Sequence, residues 1–396
     1  MMAKNERILI VLLATLNFTH ILDFMIMMPL GAHLISYFNI DGQFFSHILA
    51  SYSISACVAS ITASFFVDRF DRKNVLLFGY GGFLIGTLLC GLAPTPWFLL
   101  IARIIAGLFG GLIGAQVLSI VADVIPFERR ATAMGYLMTA FSVASVIGIP
   151  FALFLADHFS WHAPFILVAG LGVLLFPMLL RFIPSVTGHI HAKDTRPGFK
   201  ENVQLVFSGV KQRNALLFAA LLMFGHFLIV PFLTPFLEFN VGFERSQIKY
   251  VYIVGGLITL FSGPRIGKLA DGYGKRLLFT WCGILSLIPV LIITNLPHWN
   301  ILIVLCITGV WFMLANGRNI ASAAIVSNVV PPEHRGSFMS INSAVQQMSS
   351  GLASIAAGLL VTVPTGQPVI SYARTGILSV LIIISAILLS RRLPAD

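Results

Sequence analysis

Charge is scarce in this chain: Asp, Glu, Lys and Arg together make up 10% of its 396 residues, while 57% are hydrophobic. A soluble domain carries about 25% charged residues, so a water-exposed globular surface is excluded. The chemistry-bearing motifs of enzymes are also missing. There is no GxSxG, no HExxH, no Walker sequence and no pair of membrane-embedded acids suited to intramembrane hydrolysis. Neither enzymatic activity nor ATP-driven pumping is therefore expected, and any work done on a solute is expected to draw on an ion gradient. Cysteine is rare too. Cys57, Cys90, Cys282 and Cys306 all fall inside apolar runs, with no CxxC and no histidine at metal-ligand spacing. They are expected to be buried thiols, and neither a metal nor a cofactor is expected.

What fills the chain instead is apolar sequence with small residues. Thirty-three Phe and thirty-four Gly suit helices that approach closely in lipid, where no hydrophobic drive separates them from the solvent. A span needs roughly twenty apolar residues. Such runs lie near 8–31, 44–67, 74–93, 97–122, 131–156 and 161–183, then near 214–238, 246–266, 276–295, 299–325, 337–361 and 371–390. The first run exceeds a signal-peptide core and has no small-x-small cleavage site, so it is expected to stay as helix 1. The fold class is thus an all-α membrane protein of twelve spans. One long polar stretch, Pro184 to Arg213, divides it into bundles at 1–183 and 214–396 with a linker at 184–213.

The net charge of +10 is carried in short loops, which fits membrane orientation and not nucleic-acid binding. Lys4, Arg7, Arg69, Arg72, Lys73, Arg129, Arg130, Lys268, Lys275, Arg276, Arg335, Arg391, Arg392 and the basic linker lie in alternate connections, opposite Arg245 and Lys249. By the positive-inside rule both termini and the linker are cytoplasmic. The two halves also repeat. Asp68-Arg69-Phe70-Asp71-Arg72-Lys73 recurs as Asp271-Gly272-Tyr273-Gly274-Lys275-Arg276, and Pro126-Phe127-Glu128-Arg129-Arg130 recurs as Pro331-Pro332-Glu333-His334-Arg335. Phe18-Thr19-His20 and Pro29 recur as Phe224-Gly225-His226 and Pro235, all at offsets between 203 and 206. Duplicated halves of this kind build many secondary transporters.

The loop Gly267-Lys268-Leu269-Ala270-Asp271-Gly272-Tyr273-Gly274-Lys275-Arg276 and its partner from Ser64 to Lys73 place a carboxylate and two cations at a helix end, where they can pair across a neighbouring helix terminus and gate the halves. This resembles the signature between helices 2 and 3, repeated after helix 8, of the major facilitator superfamily. The resemblance covers the whole chain. Ser64 and Asp71 stand where that family usually has glycines, which leaves the geometry of the first turn open.

Polar residues on the spans identify the candidate site. Helix 4 carries Arg103 with Gly107, Gly110, Gly111 and Gly114 on one side. An arginine at membrane depth faces a cavity or a partner; the alternative is that it snorkels to the external interface. Helix 1 offers Asn17, His20 and Asp23 as a polar strip. A carboxylate left unpaired in low dielectric favours its protonated form, making Asp23 the first choice for a proton carrier. A fixed pair of Asp23 with Arg103 or His20 is the structural alternative. Helix 5 contains Gly148-Ile149-Pro150, which allows a bend and close packing against the other half. These three segments resemble the helix-1 acidic, helix-4 arginine and helix-5 antiporter motifs of the drug:proton antiporter and arabinose-efflux-like branch, with Ala152 and Ala156 in place of glycines. The resemblance implies that helices 1, 4, 7 and 10 line the cavity, which would bring His226 and Arg318 into it. Phe24, Met25, Met27, Met28, Phe141 and Phe236 would form an adaptable apolar lining, while Ser343, Gln347, Ser350, Ser354 and Gly358 of helix 11 read as a packing stripe.

The expected activity is proton-coupled export of small amphipathic molecules across a bacterial inner membrane, by a chain acting as a monomer in the lipid bilayer. The alternatives are export of a native metabolite such as a siderophore or sugar, uptake of a nutrient, and a membrane sensor that binds without transporting.

Overall fold

The structure is a computed structural model that describes residues 4–63, 67–187, 209–330, 335–364 and 367–393. Most of the linker and the loop 331–334 lie outside the described residues, as do the side chains of Asp68 and of residues 127–132.

Fifteen α-helices lie among the described residues. They are α1 (Lys4–Ile26), α2 (Gly31–Phe38), α3 (Gly42–Ala63), α4 (Arg72–Gly91), α5 (Pro96–Val124), α6 (Phe127–Val143), α7 (Ile149–His158) and α8 (Ala163–Phe182). After the linker come α9 (Val210–Phe227), α10 (Val230–Phe236), α11 (Arg245–Tyr273), α12 (Lys275–Ile293), α13 (Ile301–Ser327), α14 (Arg335–Leu360) and α15 (Tyr372–Ser390). Every predicted span falls on one of these helices or on a broken pair. Ten are long and apolar enough to cross a membrane. The remaining two predicted spans form α11 and α14. Lys249, Arg265 and Lys268 dilute the apolarity of the first, and a run of Ser, Asn and Gln that of the second.

Three predicted spans are broken, and proline accounts for two of the breaks. Helix 5 runs from α6 through a π-helical turn at Ala144–Gly148 into α7, where Pro150 supplies no N–H to the preceding turn. Helix 7 runs from α9 through α10, with Pro231 and Pro235 inside it, to a second π-helical turn at Leu237–Val241. In helix 1, α1 stops at Ile26, three residues before Pro29, and α2 begins at Gly31.

The chain separates into two compact units. The first comprises Met1–Met27 and Ser51–Phe199. Its core is built from the inner faces of α1, α3, α4, α5 and α8 around Leu16, Tyr52, Leu76, Tyr80, Phe83, Ala106, Ile113 and Leu179. Glycines set the helix spacing: a Cβ on Gly86 would meet the Ala106 backbone, and one on Gly111 the Ala56 carbonyl. Small residues thus bring backbones together where lipid offers no other drive. The second unit comprises Met28–Ala50 and Lys200–Asp396. Its core gathers Phe218, Leu222, Phe279, Ile325, Phe338 and Ile383 from α9, α12, α13, α14 and α15. The segment 28–50 belongs here through contacts such as Phe45 on Phe232, with centroids 6.4 Å apart.

One expectation about cysteine fails. Cys57, Cys90 and Cys282 are buried, but Cys306 is exposed, because its position on α13 faces outward from the unit with Leu302, Ile303 and Val310. Arg374, in the first turn of α15, joins Arg245 and Lys249 among the cations at the sparsely basic helix ends.

Candidate functional site

The first unit buries an ion pair. Asp23 sits near the end of α1 and Arg103 in the second turn of α5, with relative exposures of 0% and 1%. Arg103 Nη1 donates to Asp23 Oδ2 at 2.7 Å. The other carboxylate oxygen accepts from the Thr87 hydroxyl of α4 at 3.1 Å. The guanidinium lies over the Tyr52 ring of α3, 4.3 Å from its centroid. Tyr52 Oη in turn meets His20 Nε2 at 3.0 Å, and His20 packs edge-on against Phe83 with centroids 5.4 Å apart. Four helices therefore contribute one connected polar network: α1, α3, α4 and α5. Among the described residues, Arg103 Nε has no hydrogen-bond partner.

Local sequence explains this placement. His20 and Asp23 are three residues apart and share a face of α1. Gly107 and Gly110 lie one and two turns beyond Arg103 and open the space for Tyr52: a Cβ at Gly107 would strike the Tyr52 carbonyl, and one at Gly110 would come within 2.6 Å of its hydroxyl. Any larger residue there would push Tyr52 off the guanidinium. Such a charge is costly when it stands alone, since an arginine at a helix centre costs about 2.5–3.5 kcal/mol even on lenient insertion scales. Arg103 is thus buried and paired. It does not snorkel.

The structure brings together His20, Asp23 and Arg103 but leaves Asn17 apart, its Nδ2 reaching the Leu137 carbonyl of α6 at 3.5 Å. Below it, α1 and α6 frame an apolar cleft of about 770 Å3 lined by Ile10, Val11, Ala14, Phe18, Tyr136 and Val143, among others, with Arg7 at one end. Sequence reasoning missed Tyr52 and Thr87. Each is a lone polar group beside small residues on an apolar helix, and that is the signal that could have found them.

In the second unit, His226 on α9 stacks on Trp311 of α13, centroids 5.3 Å apart at 20°. Arg318 lies two turns further along α13 and is 1% exposed. Among the described residues, its Nε and Nη1 and the His226 Nδ1 have no hydrogen-bond partner.

The loop motifs differ between the repeats. In the first, Asp71 has φ −58° and caps α4, accepting from the Lys73 N–H at 2.9 Å. It also accepts from the Ser185 hydroxyl at 2.6 Å and the Val186 N–H at 2.9 Å. Partial burial works to raise Asp71, but these donors and the Lys73 charge outweigh it and hold the carboxyl below the usual carboxylate range. Arg72 pairs with Asp123 at the end of α5 at 2.6 Å, Lys73 donates to the Leu180 carbonyl at 2.8 Å, and Arg69 is exposed. In the second repeat Gly274 takes φ +94° between α11 and α12. Arg276 donates to the Leu393 carbonyl. Gly267 borders open space, while Asp271 and Lys275 are exposed or half-buried.

Two expectations change. Gly148 was expected to pack against the other half, but a Cβ there would meet Leu22 at 2.7 Å and Phe18 of α1 in its own unit. Of the expected apolar lining, Met27, Met28 and Phe236 are buried in packing, with Phe236 against Tyr372 at 4.8 Å. Phe24 rests on Tyr52 at 5.4 Å and Phe141 is exposed.

Many apolar spans in duplicated halves, around a buried and pairable charge, define a secondary membrane transporter. The family model for the Major Facilitator Superfamily matches residues 13–317 and 215–396, and the chain belongs to that superfamily. It is 25% identical over 265 residues to the MFS-type transporter YtbD of Bacillus subtilis, covering 66% of this chain and 65% of that one. It is 27% identical over 318 residues to the multidrug resistance protein MdtG of Proteus mirabilis, covering 76% and 75% respectively. The chain spans just under two thirds of the length of the first curated relatives it matches, 65% for YtbD and 62% for YceJ of Bacillus subtilis. The crystal structure of a bacterial homologue of the human lysosomal transporter Spinster shares the fold, with a TM-score of 0.78 at 17% identity over 99% of this chain and 98% of that one.

Proposed function

We propose that this transporter is a proton-coupled exporter of small amphipathic molecules, working by alternating access in a bacterial cytoplasmic membrane, as a monomer with both termini cytoplasmic. The observation that carries this reading is the buried Asp23–Arg103 pair. Asp23 has one oxygen on a cation and one on a hydroxyl. Gaining a proton from the external side turns the carboxylate into a neutral acid and ends the ionic hold on Arg103. The arginine keeps two supports, the Tyr52 ring and the Asp23 backbone carbonyl at 3.5 Å. Losing that proton to the cytoplasm restores the pair, and the halves at 1–183 and 214–396 rock between the two states. The loops around Asp71 and Asp271 gate the cytoplasmic side.

The cleft between α1 and α6 supports an amphipathic cargo, since its lining is mostly apolar, interrupted by Thr15, Thr139 and Tyr136, with Arg7 at one end. MdtG, the relative matched over three quarters of this chain, carries a multidrug resistance name, which favours this reading over nutrient uptake.

Purified chain in proteoliposomes, loaded with an amphipathic fluorescent dye under an imposed pH gradient, tests the proposal. Gradient-driven dye movement is expected from the wild type and is lost in Asp23→Asn, while counterflow with no gradient persists. Equal gradient-driven movement by Asp23→Asn would overturn it. Dye binding without flux in the wild type would favour a sensor.

A further inference from the structure

The two units hold unequal charge inventories. The chain has 15 acidic residues, and Asp23 is the one that falls well inside a span. That carboxylate is already committed to Arg103. In the second unit Glu238 is bound by Arg245 at 2.8 Å at the far end of helix 7, Glu244 is an N-cap residue outside α11, and Asp271 is in the last turn of α11. Arg318 sits nine residues from the end of α13, about 14 Å of helix from that terminus. Among the described residues no carboxylate pairs with it.

A buried guanidinium without a counter-charge is among the least favourable arrangements a membrane helix can hold. The surroundings do not soften it. Arg318 Nε and Nη1 are sealed without a partner. The neighbouring His226 also presents a sealed, unpartnered nitrogen, and its ring stacks on buried Trp311 to make an aromatic wall. The thiol of Cys282 packs beside Gly317. The group that would complete this corner is anionic, flat enough for two parallel N–H donors and attached to something apolar.

We infer that Arg318, with His226 and the Trp311 ring, forms an oxyanion subsite for the headgroup of an organic anion, a carboxylate or a phosphate ester carrying an aromatic or apolar body. The inference deepens the export reading by naming the charge of the cargo. It stands on binding alone.

The test uses full-length protein in nanodiscs with no ion gradient, in chloride-free buffer, with thermal unfolding and equilibrium binding as readouts. The probes are 2-naphthoate, 2-naphthyl phosphate, the neutral 2-naphthamide, and chloride or inorganic phosphate alone. One of the two naphthyl anions is expected to bind about tenfold or more tighter than the amide, the worth of a charge-assisted hydrogen bond; which of the two wins identifies the headgroup. Arg318→Gln is expected to bring that ratio to about one, whereas Arg318→Lys keeps part of it. Asp23→Asn is expected to lose gradient-driven flux yet keep the acid-over-amide preference, so failure of proton coupling and failure of this site give different results. The inference is overturned by equal binding of amide and anions, by inorganic anions matching the naphthyl ones, by a preference that survives in Arg318→Gln, or by no anion effect in the wild type.

Discussion

The two halves descend from one pattern yet handle charge in opposite ways. In the first unit His20 and Asp23 lie one turn apart on α1, and Arg103 answers from α5. In the second unit the histidine recurs as His226, but the position matching Asp23 is Ile229 at the same offset of 206, whose carbonyl takes the Tyr372 hydroxyl at 2.7 Å. The position matching Arg103 at an offset of 205 is the buried Thr308. The second arginine, Arg318, has moved ten residues further along its helix. One half therefore contains a closed acid–base couple, and the other an open cation. The proposed division of labour, with the proton handled in one half and the cargo gripped in the other, would use this asymmetry.

The largest break of that comparison is Asp23→Ala, which leaves Arg103 buried with no counter-charge. It should destabilise the protein by about 3–5 kcal/mol, read as a fall in melting temperature, and Asp23→Asn/Arg103→Gln should recover much of it. The same reasoning with the sign reversed applies to the other unit. Arg318→Gln removes an unpaired charge, so the ligand-free protein should melt higher, by at most about 2.5–3.5 kcal/mol on insertion scales. A lower melting point would mean that Arg318 has a partner after all.

Smaller effects come from the paired loops. Gly274→Ala forces a side chain onto φ +94° and should cost about 1–2 kcal/mol. Asp71, its counterpart at an offset of 203, has negative φ, so Asp71→Gly relieves no strain and only removes a cap. Asp71→Ala should cost about 0.5–2 kcal/mol. Because folding lowers the pKa of Asp71, its contribution is fully present above the unfolded carboxylate pKa and is lost as pH falls through the lower folded value. A pH series of melts should show the gap between wild type and Asp71→Asn closing in acid.

Most of this architecture was legible in the sequence because hydropathy sets the spans. The twelve runs fall on helices, and the repeat offset predicted which loops correspond. What hydropathy could not show was continuity within a span: the π-helical turns before Pro150 and after Pro235 depend on how neighbours replace lost backbone bonds. Charge was legible as inventory, since Asp23, Arg103 and Arg318 stand out in apolar helices. The pairing was not, because it depends on helix rotation; Asp23 with Arg103 was one of several arrangements. Tyr52 and Thr87 escaped because an isolated hydroxyl on an apolar helix more often bonds its own backbone, as Thr308 does to the Val304 carbonyl at 2.8 Å. Asp71 escaped in a different way. A non-glycine there left the geometry of the turn open, and its side chain does the capping that a glycine could not.

The central claim is that Asp23 gains and loses a proton during the cycle. Infrared difference spectroscopy of the membrane-reconstituted protein across a pH titration reads this without knowledge of the cargo. A protonated-carboxyl band that grows on acidification in the wild type and is absent in Asp23→Asn is the predicted result. A band that persists unchanged in Asp23→Asn, or no titrating carboxyl band in the wild type, would contradict it.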